Sequence, residues 1–144
     1  MKLMQRAPQR VVAAILSQPV GHKPDKPNFM YDSGRDNWAK ELRTRRPDVS
    51  MEIIEKYLHN LYRVQPDFVY SVSRDFARNC QTPMLVLPDD SDAHAYQTSV
   101  DVASLAPNAE VTVYPWNNPP ELKARTIARA RNFLKAHQPQ TASR

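Results

Sequence analysis

The chain has 144 residues, 41% of them hydrophobic and 24% charged, with a formal net charge of +5, one cysteine, 13 prolines and only two glycines. Such a length suits one globular domain that buries roughly 70% of its unfolded surface. Gly21 and Gly34 stand too far apart to form a P-loop or a dinucleotide fingerprint, which excludes glycine-loop nucleotide chemistry.

The positive charges are dispersed, apart from Arg43, Arg45 and Arg46 and the outer face of the last helix. No aromatic residues interleave with them as a stacking platform for bases requires, so nucleic acid is not an expected partner. Cys80 has no partner for an internal disulfide, which points to a reducing compartment. No run approaches the roughly 20 apolar residues of a membrane span. The apolar run after Lys2, Arg6 and Arg10 is short and is not followed by a convincing small-residue cleavage site. The expected location is the cytoplasm, with no membrane partner.

In chain order, residues 1–9 read as the end of a helix that stops at Pro8. Val11 to Leu16 is a continuous apolar run, the pattern of a parallel strand buried on both faces. An irregular loop from Pro19 to Pro27 follows. A short helix is expected over Asn37 to Arg43, with Trp38 and Leu42 on one side. Ser50 to Tyr62 is the clearest amphipathic helix: Ile53, Ile54, Tyr57, Leu58 and Leu61 recur at helical spacing, with Ser50 as N-cap. Pro66-Asp67 opens a further expected helix carrying Phe68, Val69, Val72 and Phe76. Met84 to Leu87 is a second unbroken apolar run, and a loop with Asp89, Asp90 and Asp92 follows it. Residues 96–106 read as helix and Val111 to Tyr114 as a third strand. Asn118, ahead of Pro119 and Pro120, is the expected cap of the last helix. Leu122, Ile127, Ala130, Phe133 and Leu134 are expected to face inward on that helix, and residues 139–144 to fray.

The pieces RVVAAILSQPVG, TPMLVLPDDSD, LAPNAE, VTVYPW and RNFLKAH, in this order and with a helical stretch after the first, resemble the carboxyl-terminal part of the α/β-hydrolase superfamily. The resemblance implies an α/β fold: a partial parallel sheet of about three strands with flanking helices. Residues 1–34 and 81–138 would form the core, and residues 35–80 a helical lid. It also implies that the nucleophile elbow, G-x-S-x-G, lies upstream of the region this chain matches. Asp92 best matches the triad acid, which would orient and stabilise an imidazole. Where the family places its histidine the chain has Asn117 and Asn118, and asparagine cannot accept and return a proton near neutral pH. Trp38, Tyr57, Tyr62 and Phe68 would form the pocket wall for a small acyl substrate.

The implied function is therefore that of a hydrolase-like portion related to cleavage of ester or similar bonds, inactive alone. The alternative is a non-catalytic protein of the same fold used for binding or regulation. The other candidates carry less. His94, two residues after Asp92, reads as an exposed loop histidine. His22, His59 and His137 lack metal-site spacing, and no metal or cofactor is expected. Cys80 has no local basic pair to activate it. A long apolar strand at a sheet edge promotes association, so self-association through Val11 to Leu16 is expected.

Overall fold

The computed structural model describes residues 1–139; the tail expected to fray lies outside them from residue 140 onward. The centre of the molecule is the run Met84–Leu87, strand β2, in which Met84, Leu85 and Val86 are 0% exposed. Four consecutive apolar side chains alternate between the two faces of a strand, so both faces must be covered. Strand β1 (Ala14–Ser17) pairs with β2 on one side and β3 (Ala109–Val111) on the other, both parallel, giving the order β1-β2-β3. The protein is thus a mixed α/β domain with a three-stranded parallel sheet and flanking helices.

Both outer strands differ in extent from the sequence expectation. A helix α1 (Lys2–Arg6) leads into a 3-10 turn at Pro8–Arg10, and that turn's Pro8 carbonyl takes the Val11 N–H at 3.2 Å. Strand pairing therefore begins only when the Ala14 N–H reaches the Pro83 carbonyl at 2.9 Å. At the other edge the Thr112 N–H still bonds the Val86 carbonyl at 2.9 Å, but β2 ends one residue later. Val113 and Tyr114 then have no strand to pair with and remain exposed.

One face of the sheet carries Ile15, Leu85 and Leu87, which meet Phe133 and Ala130 of the long closing helix. The other carries Leu16, Met84 and Val86, covered by α1, by residues 68–77 and by the helix after β2.

Twelve positions past the end of β1 the chain turns helical. Helix α2 (Phe29–Ser33), a π-turn (Gly34–Trp38) and α3 (Ala39–Arg45) run on without a break, so the helix expected at Asn37 begins at Phe29. Helix α4 (Met51–Tyr62) is capped as expected: the Ser50 hydroxyl accepts from the Ile53 N–H at 3.3 Å. Its two hydrophobic stripes separate. Ile54 and Leu58 are buried against Tyr31 and Ala39, whereas Ile53 and Tyr57 stay exposed.

The helix expected from Pro66 does not form there. Phe68 and Tyr70 have φ of 50° and 57°, a left-handed conformation that costs bulky residues about 1–3 kcal/mol each. Both side chains are buried, and that burial offsets the local preference. Helix α5 (Arg74–Asn79) starts only after Ser73, whose hydroxyl accepts from the Phe76 N–H at 3.1 Å. Phe68, Val69, Val72 and Ala77 pack beside Val86 and Val102 on the sheet.

Helix α6 (Tyr96–Leu105) ends near Pro107 as expected. Helix α7 (Pro120–Ala136) differs from expectation at two points. Pro119, not Asn118, is its N-cap, with no side-chain cap bond; prolines at the first positions leave fewer N–H groups that need a partner. Its inward stripe is Leu122, Thr126, Ala130 and Phe133, while Ile127 and Leu134 are exposed. A sheet of only three strands offers room for one narrow stripe, and Phe133 docked on Leu85 and Leu87 sets its rotation.

Candidate functional site at the strand ends and the neighbouring helical groove

Parallel strands bring the loops that follow them to one edge of the sheet, where open α/β sheets place ligands. Three such loops converge here: residues 18–28 after β1, 88–95 after β2 and 112–119 after β3. They are held together by specific contacts. Gly21 lies flat against α6, where any Cβ would overlap the Thr98 side chain. The Trp116 indole donates to the Pro88 carbonyl at 2.9 Å, joining the loop after β3 to the loop after β2.

Asp92 stands in this assembly with both carboxylate oxygens occupied. Lys26 Nζ lies 2.6 Å from one and Lys23 Nζ 3.0 Å from the other. The Lys26 and Lys23 ammonium groups hold the Asp92 carboxyl below its ordinary value of 3.8, and Asp92 in turn raises Lys23. These lysines are 66 and 69 positions upstream, and no local pattern in the sequence announces the pairing.

A second arrangement is local. The Ser91 hydroxyl donates to Asp89 Oδ2 at 3.2 Å and accepts from the His94 backbone N–H at 3.2 Å. His94 Nδ1 lies 3.2 Å from Ser91 Oγ and 3.3 Å from Asp89 Oδ2. His94 is therefore partly covered and partnered, and it does have a serine within reach. The geometry nevertheless differs from a hydrolytic relay. Relay chemistry needs serine on one ring nitrogen and the carboxylate on the other. Here both partners share Nδ1, and the serine proton points at Asp89. The three residues clamp their own loop.

Beside them a cleft of about 420 Å³ is lined by His22, Lys23, Phe68, Arg74, Asp90 and Tyr96, among others. Arg74 is bound to Asp101 at 2.6 Å and to Asp67 at 3.4 Å, with its guanidinium 5.0 Å from the Phe68 ring centroid. Asp101 raises the Arg74 pKa. Among the described residues no group of three or more His, Cys, Asp or Glu side chains is placed to hold a metal ion.

Of the four aromatic residues read as a pocket wall, three meet. Trp38, Tyr57 and Tyr62 line one groove of about 590 Å³ between the α2–α3 helix and α4, with Met30, Asn37 and Glu41. The Trp38 and Tyr57 rings are 5.9 Å apart at 38°, and both are about half exposed, at 43% and 53%. Phe68 lines the strand-end cleft instead, drawn there by its left-handed backbone and by the His22 N–H bond to its carbonyl at 2.7 Å. Cys80 is buried, among Met4, Met84 and Ala106.

No helix of the described residues is long and apolar enough to cross a membrane. No protein-family model, no curated protein and no solved structure matches this chain.

Proposed function

We propose that this chain is an α/β-hydrolase-like portion. Its helical segment between β1 and β2 is a lid that binds a small acyl-type molecule, and the chain does not hydrolyse an ester on its own. One observation carries the reading: the loop after β2, which bears Asp92, and the loop after β3 are tied together at the strand ends by Trp116 and Pro88. A hydrolase-type site of this superfamily draws its acid from the first of these loops and its base from the second. In that frame Asp92 takes the acid's position. Asn117 and Asn118 occupy the base's loop, and an amide cannot shuttle a proton. The lysines on Asp92 leave the carboxylate charged but engaged.

The groove of Trp38, Tyr57 and Tyr62 supports the binding half of the reading, since concave, mostly apolar sites with a few polar groups are where small molecules lodge. It also favours the second reading, a binding or regulatory protein of the same architecture. A release assay with short-chain acyl esters is the test of catalysis. The expected rate equals that of buffer at neutral pH, and turnover lost in Ser91→Ala would overturn it. Quenching of tryptophan fluorescence by a non-cleavable acyl amide, lost in Trp38→Phe, is the expected sign of binding. An in-frame G-x-S-x-G elbow in the DNA upstream of the Met1 codon would favour the first reading over the second.

A further inference from the structure

The two edges of the sheet are finished differently. Along a strand, the main-chain groups of alternate residues point to opposite sides. At β3 the residues turned away from β2 are Ala109 and Val111. The Ala109 N–H is taken by the Ala106 carbonyl at 3.2 Å, and the Val111 carbonyl accepts from Arg129 at 3.3 Å. Arg129 is itself fixed by Glu110 at 2.7 Å. Charge and a covering side chain are the means by which natural sheets close an edge.

At β1, among the described residues, no side chain is hydrogen-bonded to the outward main chain. The N–H groups of Ala14 and Gln18 bond Pro83 and Leu87, so residues 14, 16 and 18 address β2, and Ala13, Ile15 and Ser17 face outward. Among the described residues nothing is hydrogen-bonded to the main chain of those three. Residues 11–20 contain no charged side chain.

The geometry points to a second copy of this chain as the occupant, paired antiparallel along β1 about a two-fold axis at Ile15. With Ile15 opposite Ile15 of the other copy, Ala13 faces Ser17 and Ser17 faces Ala13. All three outward residues then fall on hydrogen-bonded pairs, which in an antiparallel ladder exchange both bonds. The matching segment is self-limiting: the Val11 N–H is already used by Pro8, Gln18 turns away with φ of 52°, and Pro19 has no N–H. No like charges oppose each other along it. Because two of the four outward main-chain groups of Ala109 and Val111 are already engaged and Arg129 and Glu110 put charge on that edge, pairing stops at two copies, an isologous dimer with a continuous six-stranded sheet. This inference concerns the chain of 144 residues itself; in the hydrolase-like reading a preceding strand would compete for the same edge.

Sedimentation velocity on the full chain from about 1 to 100 µM, a range that brackets ordinary association, is the first test, with hydrogen exchange of the Ile15 and Ser17 amides at both ends. A monomer–dimer equilibrium is expected, with those two amides protected only at high concentration. Ser17→Pro deletes one outward donor at an exposed side chain. It is expected to raise the dimer dissociation constant at least about tenfold, with an unchanged far-UV circular dichroism spectrum. A monomer throughout the range would overturn the proposal. So would exchange of Ile15 and Ser17 that does not change with concentration, a reading available even if Ser17→Pro does not fold. Assemblies that grow steadily beyond two copies would overturn the closed dimer.

Discussion

The sheet and the helical segment between β1 and β2 each have a core, and the two cores are built differently. Around β2, apolar side chains from α1, residues 68–77, α6 and α7 meet on both faces of one strand. In the helical segment Tyr31, Ala39, Ile54 and Leu58 form a separate small cluster between α2–α3 and α4. The bridge between them is narrow and aromatic: Tyr70 meets Tyr62 at 5.2 Å and His22 at 6.1 Å. Two cores with a thin bridge should open as separate units, the smaller one first. A groove carried by the smaller unit is then adjustable, whereas the strand-end loops are held by the larger one.

The largest effect should come from Leu85→Ala. Leu85 is fully buried on β2 between β1 and β3, and such truncations cost about 2–5 kcal/mol. Chemical denaturation should show the whole domain losing stability together. Leu58→Ala removes the same atoms from the smaller cluster, at a cost of about 2–4 kcal/mol by the same chemistry. Its signature should be local: faster amide exchange over residues 29–62 with β2 amides still protected. If Leu58→Ala instead weakens both regions equally, the two cores are one cooperative unit.

Gly21→Ala sharpens the comparison from the strand-end side. The new methyl group would collide with Thr98, so the loop after β1 must shift from α6 at a cost of about 1–3 kcal/mol. Ligand binding in the groove should be little affected while thermal stability falls. Ser50→Ala removes the cap of α4 and should cost about 1 kcal/mol. Its expected effect is weaker groove binding with nearly unchanged exchange in the sheet.

The parts of this arrangement visible in the sequence are those set by short-range rules. An unbroken apolar run marks β2, and spacing plus a serine cap marks α4. Paired prolines mark the start of α7. Tertiary contacts overrode those rules elsewhere. Phe68, Val69, Val72 and Phe76 have helical spacing, yet Phe68 and Tyr70 adopt a left-handed backbone because burial against the sheet outweighs the local cost. For α7, Ile127 and Leu134 fit a helical stripe as well as Thr126 does, and only docking on Leu85 selects between them. That Trp38, Tyr57 and Tyr62 would share a groove was legible because they sit on helices whose faces periodicity reports. The grip of Lys23 and Lys26 on Asp92 was not, because a loop-to-loop pairing leaves no periodic trace.

That grip yields the smallest and most specific expectation. Asp92 ties the loop leading into the helical segment to the loop leaving β2, so it belongs to the bridge between the two units. Its pKa is lowered in the folded chain, by Lys26 first and Lys23 second. A carboxylate shifted downward stabilises the fold above its unfolded pKa, and that contribution disappears as pH falls through the folded value. The link should therefore be intact at neutral pH and loosen only below the ordinary carboxylate value of 3.8. Because the pair is open to solvent, the effect should also shrink with added salt. Carbon-detected NMR titration of the Asp92 carboxyl should show a midpoint below 3.8, returning toward it in a Lys23→Met, Lys26→Met double variant. In Asp92→Asn, exchange over residues 29–62 should no longer respond to acid in that window. An Asp92 midpoint at the ordinary value in the unmodified chain would show that the lysines do not hold it, and the bridge would rest on the aromatic contacts alone.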